Sequence, residues 1–426
     1  MDPDFGLWGA TAEPAPATPP LAGDRTTDVA IVGAGYTGLS TALHLAEAGV
    51  SVTVIDAEHP GYGASGRNGG QVLPGFKTYP DHLIKRYGPE RGGALAAFGA
   101  GLADGLFALI ARHDIRCDAR QSGWIHAGHH PSKLPEQRWK HDQWASRGAR
   151  VRWLERDAMA ELLGTEAYAG GWIDERGGSL QPLSFARGLA RAAQAAGAFV
   201  HGGTRATALA RSGDGWSLMT SRGTLRAGTV VVATNGYTGG LVDRLAATIV
   251  PVQSAQIASQ VLGNEALAGI MPSPAAVSDT RRSLLYFRRS PDGRLVMGGR
   301  GGILFGTGEG HYARLRRAAE QLYPALAGAR WEHRWAGTLA VTLDHMPHLH
   351  EPAPGLIASL GCNGRGVAYS TGVGRIIAER ARGARPEELP VPLTPVNPMP
   401  MAPFRRIGAA AVAQVYGWRD RLTGSL

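Results

Sequence analysis

Three kinds of segment follow one another over residues 29–56. Residues 29–32, Val-Ala-Ile-Val, have the continuous apolar pattern of a buried strand, and a glycine-rich turn and a helical segment follow them. Residues 50–55 form a second apolar strand, which ends at Asp56. A strand, a helix and a second strand of this compactness are typical of a β–α–β unit with parallel strands.

The same patterning predicts further elements along the chain. The turn sequence Ser-Pro-Asp-Gly at 290–293 joins two strand-like segments and predicts an antiparallel hairpin. The apolar strand at 355–360 runs through glycines into a helix, which repeats the strand–glycine–helix order. The predicted helices are residues 91–112, 183–196, 312–322 and 367–382, and the other predicted strands are residues 121–127, 199–201, 215–220, 223–226, 229–233, 283–288 and 294–298.

These elements predict an α/β fold with two domains. We expect a Rossmann-like domain with a parallel sheet and a smaller α+β domain with a mixed sheet. A length of 426 residues exceeds the usual size of a single core, which agrees with two domains. The predicted boundaries are 1–27 for an extended Pro- and Ala-rich arm, 28–80, 150–240 and 335–385 for the Rossmann-like domain, 81–149 and 241–334 for the smaller domain, and 386–426 for a C-terminal tail and helix.

The turn after the first strand has the spacing of a dinucleotide-binding fingerprint. Gly33 permits the tight turn, Gly35 lets the backbone approach a pyrophosphate, and Gly38 lets the helix pack against the strand. The N-terminus of that helix offers free N–H groups to phosphate oxygens. Asp56, 18 residues after Gly38, is placed to accept hydrogen bonds from a ribose. The pattern indicates a dinucleotide, and a glycine turn in another kind of β–α–β unit is the alternative.

Composition argues against several other functions. The formal net charge is +9, but the chain has no run of five basic residues, which argues against nucleic-acid binding. Cys117 and Cys362 are the only cysteines, so neither a disulfide framework nor a zinc site is predicted. The first residues lack the apolar core of a signal peptide, and the chain has no window of 18 uninterrupted apolar residues. We expect a cytoplasmic protein without a bound metal or a membrane span.

The late glycine loop indicates which dinucleotide is bound. A flavoprotein fed by NADH would need a second fingerprint, and residues 306–310 lack its spacing and its following acid. Gly361, Gly364 and Gly366 instead open a second helix N-terminus, where the helix dipole favours negative charge. Reduction places such charge at the N1/C2=O edge of a flavin. The two glycine elements together therefore predict FAD held at both ends.

Five segments within residues 28–385 resemble the DAO-type FAD-dependent amine and amino-acid oxidoreductases. The resemblance implies that the Rossmann-like domain binds FAD and that the smaller domain binds the substrate. The five segments are the fingerprint at 33–38, the small-residue loop 65–70, the strand end 232–235, the T-x-D-x-x-P segment within 337–347 and the glycine loop 361–366.

Within that family, the chain looks most like the gamma-glutamylputrescine oxidase branch. The loops 67–71 and 363–366 and the Pro-rich tail that ends at 403–406 carry this likeness. It implies oxidation of a C–N bond in a small amine that bears an acyl-amino group. Hydride transfer to flavin N5 and hydrolysis of the imine are then the expected steps, with O2 or another molecule as electron acceptor.

The resemblance also implies which residues contact FAD. Asp56 and the first helix would hold the ADP half, the loop around Arg67 would line the pyrophosphate and the ring, and Arg365 would meet the pyrimidine edge. The alternatives are a structural Arg67 that bridges the domains and a solvent-facing Arg365. The predicted cofactor-binding residues are Gly33, Ala34, Gly35, Tyr36, Thr37, Gly38, Asp56, Ala57, Ser65, Gly66, Arg67, Asn68, Gly69, Gln71, Ala206, Ala233, Thr234, Asn235, Gly361, Asn363, Gly364, Arg365, Gly366 and Val367.

Three residues are candidates for the chemistry on the substrate side. Tyr286 lies on the strand that covers the flavin ring in the family, and a packed core tyrosine is the alternative. His345 is the candidate for a general base or an orienting group. Sarcosine-type relatives activate O2 with a lysine near flavin N5, but no lysine follows Lys140 in this chain. Arg300 is therefore the candidate cation.

Two differences from the family's pattern bear on the predicted substrate and on how FAD is bound. Leu339 stands where amino-acid-oxidising members carry an arginine that clamps the substrate carboxylate, which disfavours α-amino acids. Gly337 is the nearest equivalent of the cysteine that binds flavin covalently in sarcosine-type oxidases, so noncovalent FAD is expected.

Two other functions stay open from the sequence. A D-amino-acid dehydrogenase that feeds a membrane quinone would place the segment 406–419 on the membrane surface, although such a helix more often docks on its own protein. A sarcosine-type oxidase belongs to the same first alternative, and a flavin-binding subunit without turnover is the second.

Overall fold

The strands of the protein form two large sheets and one small one. The computed structural model describes the backbone of residues 5–422 and the side chains as far as residue 415. The strands are β1 (Arg25–Val32), β2 (Val52–Ile55), β3 (Gln71–Val72), β4 (Trp124–Gly128), β5 (Val151–Leu154), β6 (Gly170–Asp174), β7 (Gly178–Ser179), β8 (Phe199–His201), β9 (Ala206–Ser212), β10 (Gly215–Thr220), β11 (Gly223–Val232), β12 (Val250–Ser259), β13 (Ala276–Asp279), β14 (Leu285–Arg289), β15 (Leu295–Arg300), β16 (Trp331–Val341), β17 (His348–Ala353) and β18 (Leu356–Leu360).

Helices join these strands and pack on both large sheets. Their order in the chain follows the predicted alternation of strands and helices near both ends. The helices are α1 (Leu7–Thr11), α2 (Tyr36–Glu47), α3 (Pro80–Tyr87), α4 (Pro89–Arg112), α5 (Leu134–Ala145), α6 (Arg156–Leu163), α7 (Pro182–Ala195), α8 (Asn264–Gly269), α9 (Glu309–Leu322), α10 (Gly366–Ala381) and α11 (Arg405–Leu422).

The first sheet has the parallel centre of a Rossmann-like domain. β1 pairs in parallel with β2 on one side and with β11 on the other, and the full order is β17-β18-β11-β1-β2-β8. The antiparallel β9–β10 hairpin extends from β11. Apolar side chains of β1, α2, α7 and α10 share one core, which contains Ile31, Leu39, Leu189 and Ile376. The prediction of an α/β, Rossmann-like fold is confirmed.

The second sheet is mixed, as the sequence predicts. Its order is β16-β12-β15-β14-β13-β4-β6-β5, and every neighbouring pair is antiparallel except β13 and β4. The turn at 290–293 joins β14 to β15, which form the predicted hairpin. Leu315 and Leu322 of α9 pack with Ile257 and Met297 on one face of this sheet.

The main strands that the sequence pattern misses belong to long-range pairs. β12 and β16 pair antiparallel from Val250 opposite Val341 to Ser259 opposite Trp331. β11 joins two segments predicted as separate strands, because Ala227 continues the pairing with β1. In both cases the two paired strands lie far apart in the sequence. A local pattern of apolar residues therefore does not reveal the pairing.

The two sheets do not follow two of the predicted domain boundaries. Residues 151–174 supply β5 and β6 to the second sheet, although the boundary at 150 places them in the Rossmann-like domain. β16 runs through the boundary at 335 because it pairs along its whole length with β12. In the other direction, Leu95 and Leu102 of α4 pack in the core of the first sheet rather than with the smaller domain.

The N-terminal arm is docked on the protein and begins with a helix. The sequence predicts an extended arm over residues 1–27, of which residues 1–4 lie outside the described residues. Residues 12–24 contain no helix or strand, but α1 precedes this stretch because Leu7 and Trp8 are buried against the second sheet. Arg187 Nη1 donates to the Glu13 carbonyl at 2.6 Å. The Leu21 N–H donates to Thr204 Oγ1 at 3.0 Å. These bonds fix the arm along the edge of the first sheet.

Two helices bear on the question of membrane contact. By length and composition alone, α4 is the one helix of residues 5–422 that could cross a membrane. Its face with Leu95, Leu102 and Leu106 belongs to the core of the first sheet. α11 begins against the protein itself, since Arg405 Nε donates to the Ile249 carbonyl at 2.9 Å. One face of α4 and the start of α11 therefore contact other parts of the same chain.

Candidate functional site

One cavity of about 770 Å³ lies between the carboxyl ends of the first sheet and residues of the second sheet. This volume is typical of a pocket for a cofactor or a small molecule. Three segments far apart in sequence, the fingerprint, the loop after β2 and the last glycine loop, meet here. The predicted site residues that line the cavity are Gly33, Gly35, Tyr36, Thr37, Asp56, Ala57, Ser65, Arg67, Asn68, Gly69, Gln71, Ala206, Ala233, Thr234, Asn235, Tyr286, Gly364, Gly366 and Val367.

The N-terminus of α2 opens onto the cavity; its N-cap residue supplies no side-chain cap, and Ser65 Oγ accepts the Tyr36 N–H at 3.0 Å. Gly33 has a φ of +108°, which favours glycine, and a Cβ at Gly38 would lie 2.0 Å from the Gly33 carbonyl oxygen. Gly35 is the N-cap of α2, and the first turn has no acidic residue. Helix N-termini of this kind present N–H groups and partial positive charge to an anion.

Asp56 ends β2 at the rim of the same cavity. Its Oδ2 accepts the Ala34 N–H at 2.7 Å, and its Oδ1 accepts the Glu58 N–H at 2.9 Å. Burial raises the pKa of Asp56, and these two N–H donors act in the opposite direction. The carboxylate therefore ties the glycine turn to the end of β2, and it lines the cavity as the fingerprint predicts.

The loop after β2 is fixed by its own hydrogen bonds and by stacking. The Arg67 guanidinium lies 4.6 Å from the ring centroids of both Phe5 and Tyr62. Its Nε donates to the Tyr62 carbonyl at 2.9 Å, whereas the buried Nη2 has no hydrogen-bond partner among the side chains and backbone of residues 5–415. Asn68 Nδ2 donates to the Tyr36 hydroxyl at 3.1 Å. Arg67 thus brings a buried, unpartnered donor to the cavity lining.

The N-terminus of α10 forms a second helix end at the cavity. Gly366 and Val367 line the cavity, and neither a side-chain cap nor an acidic residue is present in the first turn. The Gly361 N–H donates to Asn235 Oδ1 at 3.0 Å, which ties this loop to the end of β11. Two helix N-termini that favour negative charge therefore face one cavity.

Eight predicted residues do not line the cavity. Several of them support it from behind: Asn363 Nδ2 donates to Thr342 Oγ1 at 3.0 Å and to the Gly361 carbonyl at 2.6 Å, which shapes the last glycine loop. Gly38 and Gly66 allow close backbone packing, since a Cβ at Gly66 would lie 2.3 Å from the Gly61 carbonyl oxygen. The eight are Ala34, Gly38, Gly66, Gly361, Asn363, Arg365, Arg300 and His345.

Three of these eight correct the predicted direct contacts. Arg365 donates from Nη1 to the Pro74 carbonyl, and its guanidinium lies 5.0 Å from the Trp124 ring centroid. His345 is exposed in the turn after β16, and Arg300 Nη2 donates to the Arg282 carbonyl at 3.1 Å. None of these three side chains is among the residues that line the cavity.

Tyr286 is the predicted substrate-side residue that does line the cavity. Its ring packs so closely on Gly69 that a Cβ there would lie 2.6 Å from the ring. The Tyr286 hydroxyl and Ser254 Oγ are 2.8 Å apart. Burial raises the pKa of Tyr286, so the hydroxyl is neutral. The prediction of a role for Tyr286 in the pocket agrees with this position.

Sequence reasoning misses part of the lining. Two of these residues could have been predicted from their position in the sequence. Cys362 lies inside the predicted glycine loop, and Tyr237 follows the predicted strand end. Others, such as Ser254 on β12, lie on a strand that the pattern does not reveal. Lining residues outside the predicted set include Glu58, Tyr62, Leu73, Thr204, Arg205, Tyr237, Ser254, Ser278, Leu284, Leu339, Cys362 and Ser370.

A half-buried histidine, His126, lies next to Trp124, whose Nε1 donates to the lining residue Ser278 at 3.1 Å. The rings of His126 and Trp124 stack at 5.1 Å, and Trp172 packs on His126 at 6.0 Å. Burial lowers the pKa of His126 well below its ordinary value, and the charges of Lys140 and Arg365 lower it further. The folded protein therefore holds this imidazole in its neutral form.

Lowering the pH is expected to destabilise the protein through His126. Below a pH of about 6.5 the unfolded chain binds a proton at His126 that the folded protein excludes, so the free energy of unfolding falls by up to about 1.4 kcal/mol per pH unit. Denaturant unfolding of the FAD-loaded protein at about pH 7 and about pH 5 measures this dependence. His126→Phe should reduce the loss and the exposed His82→Phe should not; an equal loss in wild type and His126→Phe would contradict the assignment.

The comparisons with known proteins agree with this site. A family model described as DAO, FAD dependent oxidoreductase, matches residues 28–380. The chain therefore belongs to the DAO family of FAD-dependent oxidoreductases, as the sequence motifs predict, and it is an enzyme of that class.

Its relatives include two proteins that match over nearly their full length. Gamma-glutamylputrescine oxidoreductase of Escherichia coli (strain K12) is 32% identical over 408 residues, which is 93% of each chain. Probable oxidoreductase OrdL of Rhizobium meliloti (strain 1021) is 32% identical over 389 residues, 91% of this chain and 90% of that protein. The crystal structure of glycine oxidase from Geobacillus kaustophilus superimposes with a TM-score of 0.74 at 22% identity and covers 87% of this chain and 98% of that one.

The residues of the cavity fit FAD. The N-termini of α2 and α10 suit the pyrophosphate and the pyrimidine edge, the two parts of FAD that carry or acquire negative charge. The unpartnered Nη2 of Arg67 is a further donor for it. Cβ atoms at Gly33 and Gly35 would lie 2.9 Å and 3.0 Å from neighbouring oxygens, so these glycines keep the backbone open at the turn.

Proposed function

We propose that the chain oxidises a C–N bond in a small amine whose reacting carbon carries no carboxylate, a substrate of the gamma-glutamylputrescine type, with noncovalently bound FAD. The observation that carries this proposal is the position of Leu339, which lines the cavity where a carboxylate-clamping arginine would be needed. Arg67 and Arg205 are the cations in the described lining, and Arg67 is stacked between two rings. The relationship to gamma-glutamylputrescine oxidoreductase supports this substrate class.

Several side chains prepare the amine for oxidation in this proposal. When bound, FAD accepts the hydride that leaves the amine carbon, and water hydrolyses the resulting imine. Leu73, Leu284 and Leu339 give the substrate end of the cavity an apolar surface, which excludes water and favours the neutral amine. The Tyr286 hydroxyl, 2.8 Å from Ser254 Oγ, is placed to orient the amine by a hydrogen bond.

The N-termini of α2 and α10 favour negative charge on the cofactor side of the cavity. The N-terminus of α10 favours the negative charge that reduction brings, and the N-terminus of α2 favours the phosphates. Two observations support noncovalent binding: Gly337 offers no thiol, and Cys117 is buried outside the cavity lining. Cys362 is the one cysteine in the lining, and its Sγ accepts a hydrogen bond from Asn235 Nδ2 at 3.4 Å.

Anaerobic reduction of the purified yellow protein tests the proposal. Gamma-glutamylputrescine should bleach the visible band of oxidised flavin, whereas sarcosine and D-amino acids should leave it unchanged. Acid precipitation of the same protein should release all FAD into the supernatant. Bleaching by D-amino acids alone would contradict the role given to Leu339. Colour that stays with the precipitate, and is lost in Cys362→Ser, would contradict noncovalent binding.

A further inference from the structure

The first turn of α11 and the loop before α9 are joined by one arginine. Arg406 Nε donates to the Ile303 carbonyl at 3.0 Å, and its Nη2 donates to the same carbonyl at 2.7 Å. Nη2 also donates to the Leu304 carbonyl at 3.1 Å. The next residue of this loop, Phe305, is therefore held close to the start of α11.

α11 turns its small residues towards the protein and its larger apolar residues away from it. The helix packs against β12, and the partly buried residues of its described part after the first turn are Ala409, Ala410 and Ala413. The exposed apolar residues in and just before the helix are Met401, Phe404, Ile407, Val412 and Val415. At about 100° per residue, the alanines and the exposed residues within the helix lie on different sides of it. A surface helix of a globular protein has the opposite arrangement, with its large apolar side chains facing the core.

Phe305 adds a large ring to these exposed residues. Its side chain is 98% exposed, although Arg406 fixes the backbone beside it. Single exposed apolar residues are common, but several on two joined segments mark an interaction surface. We call this surface the α11 surface, and it consists of Phe305, Met401, Phe404, Ile407, Val412 and Val415.

The two segments that form the α11 surface carry positive charge only. Residues 293–308 and residues 389–419 contain no Asp or Glu. Arg405 and Arg406 donate to backbone carbonyl oxygens, and neither forms an ion pair with a carboxylate of residues 5–415. A complementary partner therefore combines an apolar layer with negative charge.

We propose that the α11 surface binds the surface of a lipid bilayer that contains anionic headgroups. The exposed apolar side chains enter the boundary between headgroups and acyl chains, and Arg405 and Arg406 lie near the headgroup phosphates. A second copy of this chain fits less well, because a symmetric contact would bring the arginines of both copies together without a carboxylate. This inference concerns the surface of the protein and does not depend on the substrate.

Cosedimentation of the FAD-loaded protein with vesicles tests the contribution of charge. The vesicles contain phosphatidylcholine alone or equal parts of phosphatidylcholine and phosphatidylglycerol. The wild type should bind the anionic vesicles about tenfold more tightly. Arg406→Gln should weaken that binding about fivefold, whereas Arg406→Lys, which keeps the charge, should change it little. A wild type that stays in the supernatant with both vesicles, or that binds both equally, would overturn the inference.

A double substitution tests the contribution of the apolar side chains. Phe305→Ser with Ile407→Ser should weaken binding to the anionic vesicles at least about tenfold, because two apolar groups no longer enter the bilayer. Met219→Ser with Val261→Ser removes two exposed apolar side chains from other elements and should leave binding unchanged. The visible flavin absorbance confirms that each variant is folded and loaded. Equal binding by the wild type and the Phe305→Ser, Ile407→Ser protein would reject the α11 surface as the contact.

Gel filtration of the same proteins without vesicles tests the competing occupant. The wild type and the Phe305→Ser, Ile407→Ser protein should elute at the same volume if the partner is a bilayer. A wild-type oligomer that this double substitution dissociates, together with no binding to vesicles, would show that the α11 surface joins copies of the chain and would reject the inference.

Discussion

Gly38→Ala is expected to prevent the protein from retaining FAD. The new Cβ would lie 2.0 Å from the Gly33 carbonyl oxygen and 3.2 Å from Ile31 Cγ2, so the start of α2 must move away from β1. Overpacking of this kind costs roughly 1–3 kcal/mol or more, and here the displaced turn is also the one that opens α2 onto the cavity. FAD-to-protein stoichiometry after purification and the midpoint of thermal unfolding measure the two effects.

A second glycine provides the matched control for this substitution. Gly93 also lies within a helix, α4, but outside its chain neighbours and the adjacent turns of that helix no atom of the described residues is within 4 Å of the position that its Cβ would take. Gly93→Ala should therefore retain full FAD and gain up to about 1 kcal/mol of stability from helix propensity. A Gly38→Ala protein with full FAD and an unchanged midpoint would show that the contact between α2 and β1 is not needed for the cofactor.

Arg288→Met is expected to destabilise the loop that lines the middle of the cavity. Arg288 is 3% exposed; its Nε donates to the Gly69 carbonyl at 2.8 Å and its Nη2 to the Leu180 carbonyl at 2.7 Å. Burial lowers the pKa of Arg288 to about 10, and the group is charged at neutral pH. Methionine keeps the volume but leaves two buried carbonyls without donors, which costs about 2–4 kcal/mol.

The effect of Arg288→Met should reach the cofactor because Gly69 lines the cavity. We expect weaker FAD retention together with the lower free energy of unfolding, measured by denaturant titration and by dialysis against FAD-free buffer. Arg330→Met changes the same side-chain type where it is 79% exposed and should have little effect on either quantity. If the Arg288→Met protein is destabilised but retains FAD as the wild type does, Arg288 stabilises the fold without supporting the cofactor site, which contradicts this prediction.

The parts of the site that the sequence predicts are those encoded by local backbone geometry. Gly33, Gly35 and the loop at 361–366 are recognisable because a tight turn and an open helix end require glycine at set spacings. The positions of these segments then follow from the Rossmann-like fold, which brings the ends of parallel strands to one edge. For this reason most of the predicted residues of the fingerprint and of the loop after β2 line the cavity.

The substrate side depends on contacts that no local pattern encodes. Ser254 meets Tyr286 because β12 joins the second sheet beside β15, and β12 is found only through its long-range partners. The direction of the Arg365 side chain is decided by Pro74 and Trp124, which come from distant parts of the chain. The position of Arg365 in the last glycine loop therefore predicts contact with the cavity, whereas the packing of its side chain points it elsewhere.

The first residues of the chain join the two sheets. Trp8 Nε1 donates to the Asn68 carbonyl at 2.8 Å in the loop after β2, and its ring packs edge-on to Trp335 of β16 at 5.4 Å. A side chain at Gly6 would collide with the same Trp335 ring. It follows that residues 5–8 act as a clasp, which bridges the loop after β2 and β16 and resists separation of the two sheets at this side. A bulky fusion placed just ahead of Phe5 would strain this clasp.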